Sequence, residues 1–159
     1  GRPGVREPVL ACVGLGANLG DPVAQVRWAL DALAALPDSR LWSASGLYRT
    51  APWEADGPDF INAVAQVETR LSAPALLRAL QALEARAGRE RPYRNAPRTL
   101  DLDLLFYGDA VVQSPDLVLP HPRWRDRAFV LHPLAELLPG RVSPADLARV
   151  ADQAIARLP

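Results

Sequence analysis

Asp101 and Asp103 stand two residues apart inside an otherwise apolar run, Leu100-Asp101-Leu102-Asp103-Leu104-Leu105-Phe106. In an extended strand alternate side chains share a face, so both carboxylates project to one side and the leucines between them to the other. Two adjacent carboxylates repel unless a positive charge lies between them. A hard divalent cation with oxygen ligands, typically Mg²⁺ carried in with nucleotide phosphates, resolves that repulsion. A half-buried strand with one wet face produces the same pattern, so the pair alone does not decide between them.

The neighbours tilt the balance. Upstream runs Gly88-Arg89-Glu90-Arg91-Pro92-Tyr93-Arg94, and Arg98 precedes Asp101 by three residues. Downstream come Leu119-Pro120-His121-Pro122-Arg123 and then Arg127. Acids that hold Mg²⁺, flanked by guanidinium forks that bind phosphate oxygens in pairs, are what a polyphosphate site requires. Any one of these arginines alone reads as a solvated surface residue; their clustering is the signal.

The rest of the composition narrows the classes. With 159 residues the chain is long enough for one domain with a real core, and no internal repeat or linker divides it, so residues 1–159 are expected to form a single domain. Its 18 basic and 18 acidic residues give a formal charge of zero, leaving no global field to recruit nucleic acid or a membrane. Every basic residue is Arg. Without a lysine there is no P-loop and no Schiff-base chemistry. The lone Cys12, in the apolar run Val9–Val13, reads as a buried core thiol. No stretch approaches a membrane span and no signal peptide is visible, so a soluble cytoplasmic enzyme is expected. The chain opens on Gly1 and contains no Met, from which a missing or processed N-terminus is expected.

Several elements must position the acids. Val9–Leu15 reads as a first strand, leading into the glycine-rich Gly14-Leu15-Gly16-Ala17-Asn18-Leu19-Gly20-Asp21 turn. The glycine spacing is not that of a dinucleotide fingerprint. Asp21-Pro22 opens a helix whose stripe is Val23, Val26, Ala29, Leu30, Leu33 and Leu36. Strands follow near Leu41–Tyr48 and Phe60–Val67. Between them lies a proline-rich loop, where an exposed Trp53 suits binding as readily as packing. Ser72-Ala73-Pro74 begins a second helix that Gly88 ends. The acidic strand runs from about Thr99 to Tyr107, and Gly108-Asp109 turns it into a return strand at Ala110–Val112. Short helices are expected at Val130–Leu137 and Pro144–Arg157. Strand, helix, two strands, helix, strand makes an α+β sandwich with a largely antiparallel sheet.

Taken together, these residues resemble the 6-hydroxymethyl-7,8-dihydropterin pyrophosphokinase family, from about Val9 to Leu138. The blocks that carry the resemblance are Gly14–Asp21, Tyr48-Arg49-Thr50, Pro58-Asp59-Phe60-Ile61-Asn62, Glu84 with Gly88–Arg91, Ala96–Asp103, Leu119–Arg123 and Arg127-Ala128-Phe129-Val130-Leu131. The resemblance implies a ferredoxin-like α/β/α fold and transfer of diphosphate from ATP to the pterin's hydroxymethyl group, releasing AMP. It implies two Mg²⁺ ions on Asp101 and Asp103, and Arg89, Arg98, His121 and Arg127 on the phosphates. Gln81 and Glu84 would approach the nucleotide. Adenine would rest on Leu104 and Leu117 beside the Val118 backbone. For the pterin it implies stacking by Phe60 and Phe129, a bond from Asn62, main-chain groups at Thr50 and Trp53, and close approach at Gly16. These readings agree with the chemistry: such transfer needs positioning and charge neutralisation far more than covalent help.

The chain departs from the family's pattern in places. Asn95 stands where many members carry Trp, Phe60 where Tyr is common, and Pro122 where some have Tyr. A different Mg-dependent nucleotidyl or phosphoryl transferase would use the same acidic strand. An arginine-rich nucleic-acid module is opposed by the zero net charge and by acids beside the arginines. ATP and the pterin are the partners expected, with the protein a monomer.

Overall fold

A computed structural model describes residues 6–52, 57–89 and 100–159, the side chain of Arg89 excepted. In chain order the elements are β1 (Val9–Ala17), α1 (Pro22–Ala34), β2 (Ser39–Ala44), β3 (Tyr48–Thr50), β4 (Phe60–Thr69), α2 (Ala73–Arg89) and β5 (Asp101–Tyr107). They continue with β6 (Val112–Gln113), β7 (Val118–Leu119), α3 (Ala128–Leu137), α4 (Pro144–Arg149) and β8 (Ile155–Arg157). The main sheet runs β5-β1-β4-β3-β8, with β2 also on β4, and each of these pairings is antiparallel. The expected α+β sandwich is therefore present, with the acidic strand at one edge.

Local chemistry starts the helices where expected. Asp21 caps α1 by accepting from the Ala24 amide at 3.1 Å, with Pro22 in the first turn. Ser72 Oγ does the same for α2, accepting from Ala75 N at 3.2 Å. Two apolar layers follow from the strand alternation. Val13, Leu15, Leu102 and Leu104 pack with Val26, Leu33, Leu76 and Leu80 of α1 and α2 on one face of the sheet. Cys12, Val64, Leu105 and Phe106 pack with Leu131 and Leu134 of α3 on the other. A register shift between Cys12 and Val13, opposite Leu104–Phe106, lets both Leu105 and Phe106 join the α3 layer. Cys12 is a buried thiol as expected, pushed up to about 11 by burial, with Arg141 opposing.

Four expectations need correcting. The strand expected at Leu41–Tyr48 is two strands, β2 and β3, interrupted at Ser45-Gly46-Leu47. Gly14 and Gly16 lie inside β1, two residues longer than expected, so they serve close packing within the sheet and not the turn. Gly108 does turn with φ 54°, but the chain beyond it does not return along β5. Residues 112–113 pair with β7 as a separate two-stranded sheet, because the outer edge of β5 is taken by other groups described below. Finally, the helix expected over Pro144–Arg157 stops at Arg149, and residues 155–157 pair with the open edge of β3. Among the described residues, no helix is long and apolar enough to cross a membrane.

Candidate active site

The acids, the aromatics and the glycines meet in one cavity of about 440 Å³ on the α3 face of the sheet. Its floor is β1. Gly14 lies beside Asp103, and Gly16 lies between Asp101 on β5 and Asn62 on β4. Residues opposite one another in an antiparallel pair share a face, so two positions without side chains leave the floor open between the carboxylates and the amide. A Cβ on Gly16 would sit 2.9 Å from Asn62 Nδ2. The alternation read from the sequence holds: Leu102 is buried beneath the sheet while Asp101 and Asp103 open into the cavity.

One end of the cavity is charged. The Arg127 guanidinium is 3.8 Å from Asp103 and 5.3 Å above the Phe129 ring. Burial lowers the Arg127 pKa, Asp103 working against it, and the group stays cationic. His121 is placed by its own backbone, whose N–H donates to the Leu105 carbonyl on the outer edge of β5 at 2.9 Å. Its Nδ1 accepts from the Arg123 N–H at 3.1 Å, which leaves Nε2 as the protonated, donating nitrogen. Burial holds the imidazole below its ordinary pKa, reinforced by Arg127 and Arg123 and opposed by Asp103. Glu84 reaches from α2 to accept the Leu102 amide at 2.9 Å, so it braces β5 between the two acids.

The other end is flat and apolar with a polar edge. Phe60 and Phe129 both line it, with Thr50, Ala51, Pro52 and Val130. Asn62 is buried and oriented: Thr50 Oγ1 donates to its Oδ1 at 2.7 Å, and its Nδ2 donates to the Leu15 carbonyl at 3.5 Å. An amide so held keeps one N–H and one lone pair for a ligand.

Other expected residues lie elsewhere. Gln81 and Leu117 line a second opening of about 410 Å³ between α2 and the β6–β7 ribbon, with Leu77, Arg78 and Asp116. Val118 belongs to β7. Leu104 is 4 % exposed within the α1/α2 layer and lines neither opening. Arg98 and Trp53 lie outside the described residues, as does the Arg89 side chain at the end of α2. Asn95 is also outside them. Arg123, counted in the arginine cluster but given no role of its own from the sequence, stands two residues from His121 and lines the main cavity.

The donor set suits one class of metal. Among the described residues no three His, Cys, Asp or Glu side chains converge, which disfavours a closed zinc-type site. Two carboxylates on one face of an open cavity fit Mg²⁺, which draws its remaining ligands from phosphate and water.

Residues 12–139 match the family model described as 7,8-dihydro-6-hydroxymethylpterin-pyrophosphokinase (HPPK). The chain belongs to this family. Among the family's curated members, the 2-amino-4-hydroxy-6-hydroxymethyldihydropteridine pyrophosphokinase of Pseudomonas aeruginosa is 46% identical over 154 residues, covering 92% of this chain and 95% of the relative. The enzyme of the same name from Haemophilus influenzae is 42% identical over 86% of each chain. The folic acid synthesis protein fol1 of Schizosaccharomyces pombe is 40% identical over 85% of this chain, which spans only 19% of that protein's length. In fold, a crystal structure of Plasmodium falciparum HPPK-DHPS wild type with pteroate superposes over 81% of this chain and 38% of its own, with a TM-score of 0.57 at 13% identity.

Proposed function

We propose that the protein transfers diphosphate from ATP to the hydroxymethyl group of 6-hydroxymethyl-7,8-dihydropterin, releasing AMP, in folate biosynthesis. The observation that carries this reading is one cavity holding an acid pair with Arg127 and His121 at one end, and Phe60, Phe129 and Asn62 at the other. A flat polar heterocycle needs aromatic faces and in-plane hydrogen bonds. Its triphosphate partner needs cations.

In this reading Phe60 and Phe129 take the pterin's faces, and Asn62, oriented by Thr50, bonds its edge. That holds the hydroxymethyl oxygen in line with the β-phosphorus of ATP. The new O–P bond forms as the bridge to the α-phosphate breaks, AMP carries away the bridging oxygen, and the hydroxyl proton passes to solvent. Asp101 and Asp103 would hold two Mg²⁺ ions, which when bound neutralise the triphosphate and polarise the phosphorus under attack. Arg127 and the Nε2–H of His121 supply donors to phosphate oxygens, as Arg89 and Arg98 do by resemblance. The opening at Gln81 and Leu117 receives the adenine end. The working unit in this reading is a cytoplasmic monomer.

Phosphorus NMR of protein with Mg²⁺, ATP and the pterin tests it. AMP and a pterin diphosphate in equal amounts are expected. ADP would mean a simple kinase, free pyrophosphate a nucleotidyl transferase, and untouched ATP would remove the reading.

A further inference from the structure

Arg127 is the one extended residue between two helical turns. A 3₁₀ turn, Trp124–Asp126, precedes it and α3 follows, while Arg127 itself has φ −123° and ψ 113°. It stands at the N-cap of α3, where a guanidinium, which only donates, cannot cap the helix amides, and its side chain turns instead toward Asp103 and Phe129. The first amide of α3, like that of any helix, has no intrahelical acceptor. The missing partner comes from a residue 25 positions away. Gln153 Oε1 accepts from Ala128 N at 2.9 Å, and Gln153 Nε2 donates to the Asp126 carbonyl at 2.9 Å.

One amide thus clamps the backbone on both sides of Arg127. Fixing the peptides before and after a residue fixes its φ and ψ, and with them the direction of its Cα–Cβ bond. The Arg127 carbonyl is held as well, accepting from Val130 N and Leu131 N at 3.0 Å each. Gln153 is in turn anchored on either side. Its own N–H donates to the Val150 carbonyl at 3.0 Å, and two residues later β8 joins the sheet at β3.

We propose that Gln153 is a positioning residue for the reaction: by clamping Asp126 and Ala128 it aims the Arg127 guanidinium at the acid pair and the phosphates. Gln153 lies beyond residues 12–139 that match the family model. The proposal rests on the reading of Arg127 as a phosphate-side group, given above.

The test is a double-mutant cycle of Gln153→Ala and Arg127→Ala, with kcat and the KM values for ATP and pterin measured well below each variant's Tm. Misaiming a charged group by about an ångström costs on the order of tenfold to a hundredfold. Gln153→Ala is expected to lower kcat about tenfold, and to add less than about twofold once Arg127 is already Ala. Multiplying effects, or a lower Tm with intact kcat, would overturn the positioning role and leave the reading of Arg127 standing. Full activity in Arg127→Ala alone would overturn that reading and the proposal with it. If Gln153→Ala fails to fold, Gln153→Glu keeps the acceptor for Ala128 and sets a carboxylate oxygen, which cannot donate and repels it, against the Asp126 carbonyl. A loss of kcat that disappears in the Arg127→Ala background is expected from it too; an unchanged kcat would overturn the proposal.

Discussion

A single hydrogen atom at Gly16 keeps β1 clear of the Asn62 amide, since a Cβ there would approach Nδ2 to 2.9 Å. Asn62 cannot yield without breaking its bond to Thr50, so Gly16→Ala should weaken pterin binding about tenfold, roughly 1.4 kcal/mol. Calorimetric titration with the pterin would show it, and unchanged affinity would sink the close-approach argument. Asp103→Ala makes the complementary prediction. It removes half the acid pair and the partner of Arg127, and should cut kcat by about a thousandfold or more while pterin affinity stays within about threefold. Near-normal turnover would remove the metal assignment. At this scale part was legible in advance: a D-x-D strand fixes which way its acids point, whereas the glycines of β1 were read as a turn, because glycine alone does not tell a turn from a strand packed closely against its neighbours. What escaped was Gln153, because its meaning lies in a contact 25 residues distant that no local pattern records.

Between elements, Glu136 is the junction. From α3 it accepts from Gly46 N at 3.1 Å and from the Tyr48 hydroxyl, and it pairs with Arg157 of β8 at 3.2 Å. That ties the α3 wall of the cavity, with Phe129 and Val130, to the β3 wall that ends in Thr50. Burial alone would raise the Glu136 carboxyl, but Arg157, Tyr48 and Gly46 together hold it below its ordinary value. A carboxyl lowered in the folded state adds stability that is complete above its unfolded value, about 4.3, and is lost as pH falls through the lower folded one. Glu136→Gln should therefore melt a few degrees lower (about 2–4 °C) near pH 7 and lose part of wild type's destabilisation below pH about 4. Parallel melting curves across that range would count against the junction. Tyr48 works from the other side. Burial first, and then Glu136, push its hydroxyl up to about 12, so its contribution is full below about 10 and fades as pH rises through that higher value. Element boundaries were read less well than element types. The β6 and β8 errors share a cause: each short segment was assigned from its own pattern, whereas its state is set by which strand edge remains open to it.

For the whole molecule, the two apolar layers divide labour. Leu33 of α1 and Leu134 of α3 are both fully buried, one on each face of the sheet. Truncating either to Ala should cost about 2–5 kcal/mol. Leu134→Ala, in the layer against which Phe129 packs, should also raise the KM for pterin, whereas Leu33→Ala should leave kinetics intact at temperatures where it stays folded. Urea melts paired with steady-state assays would separate the two, and equal kinetic damage would deny the division. The order of strands and helices, and so the sandwich, could be read from hydrophobic periodicity because both layers draw on long, regular segments. The last small pieces were opaque for the same reason: they are too short to carry a period. On the ribosome every strand that β8 and Gln153 brace exists before they do, so the nascent sheet waits with its β3 edge bare and its Arg127 unaimed. The full catalytic rate should then be reached only once residues 153–157 have cleared the exit tunnel.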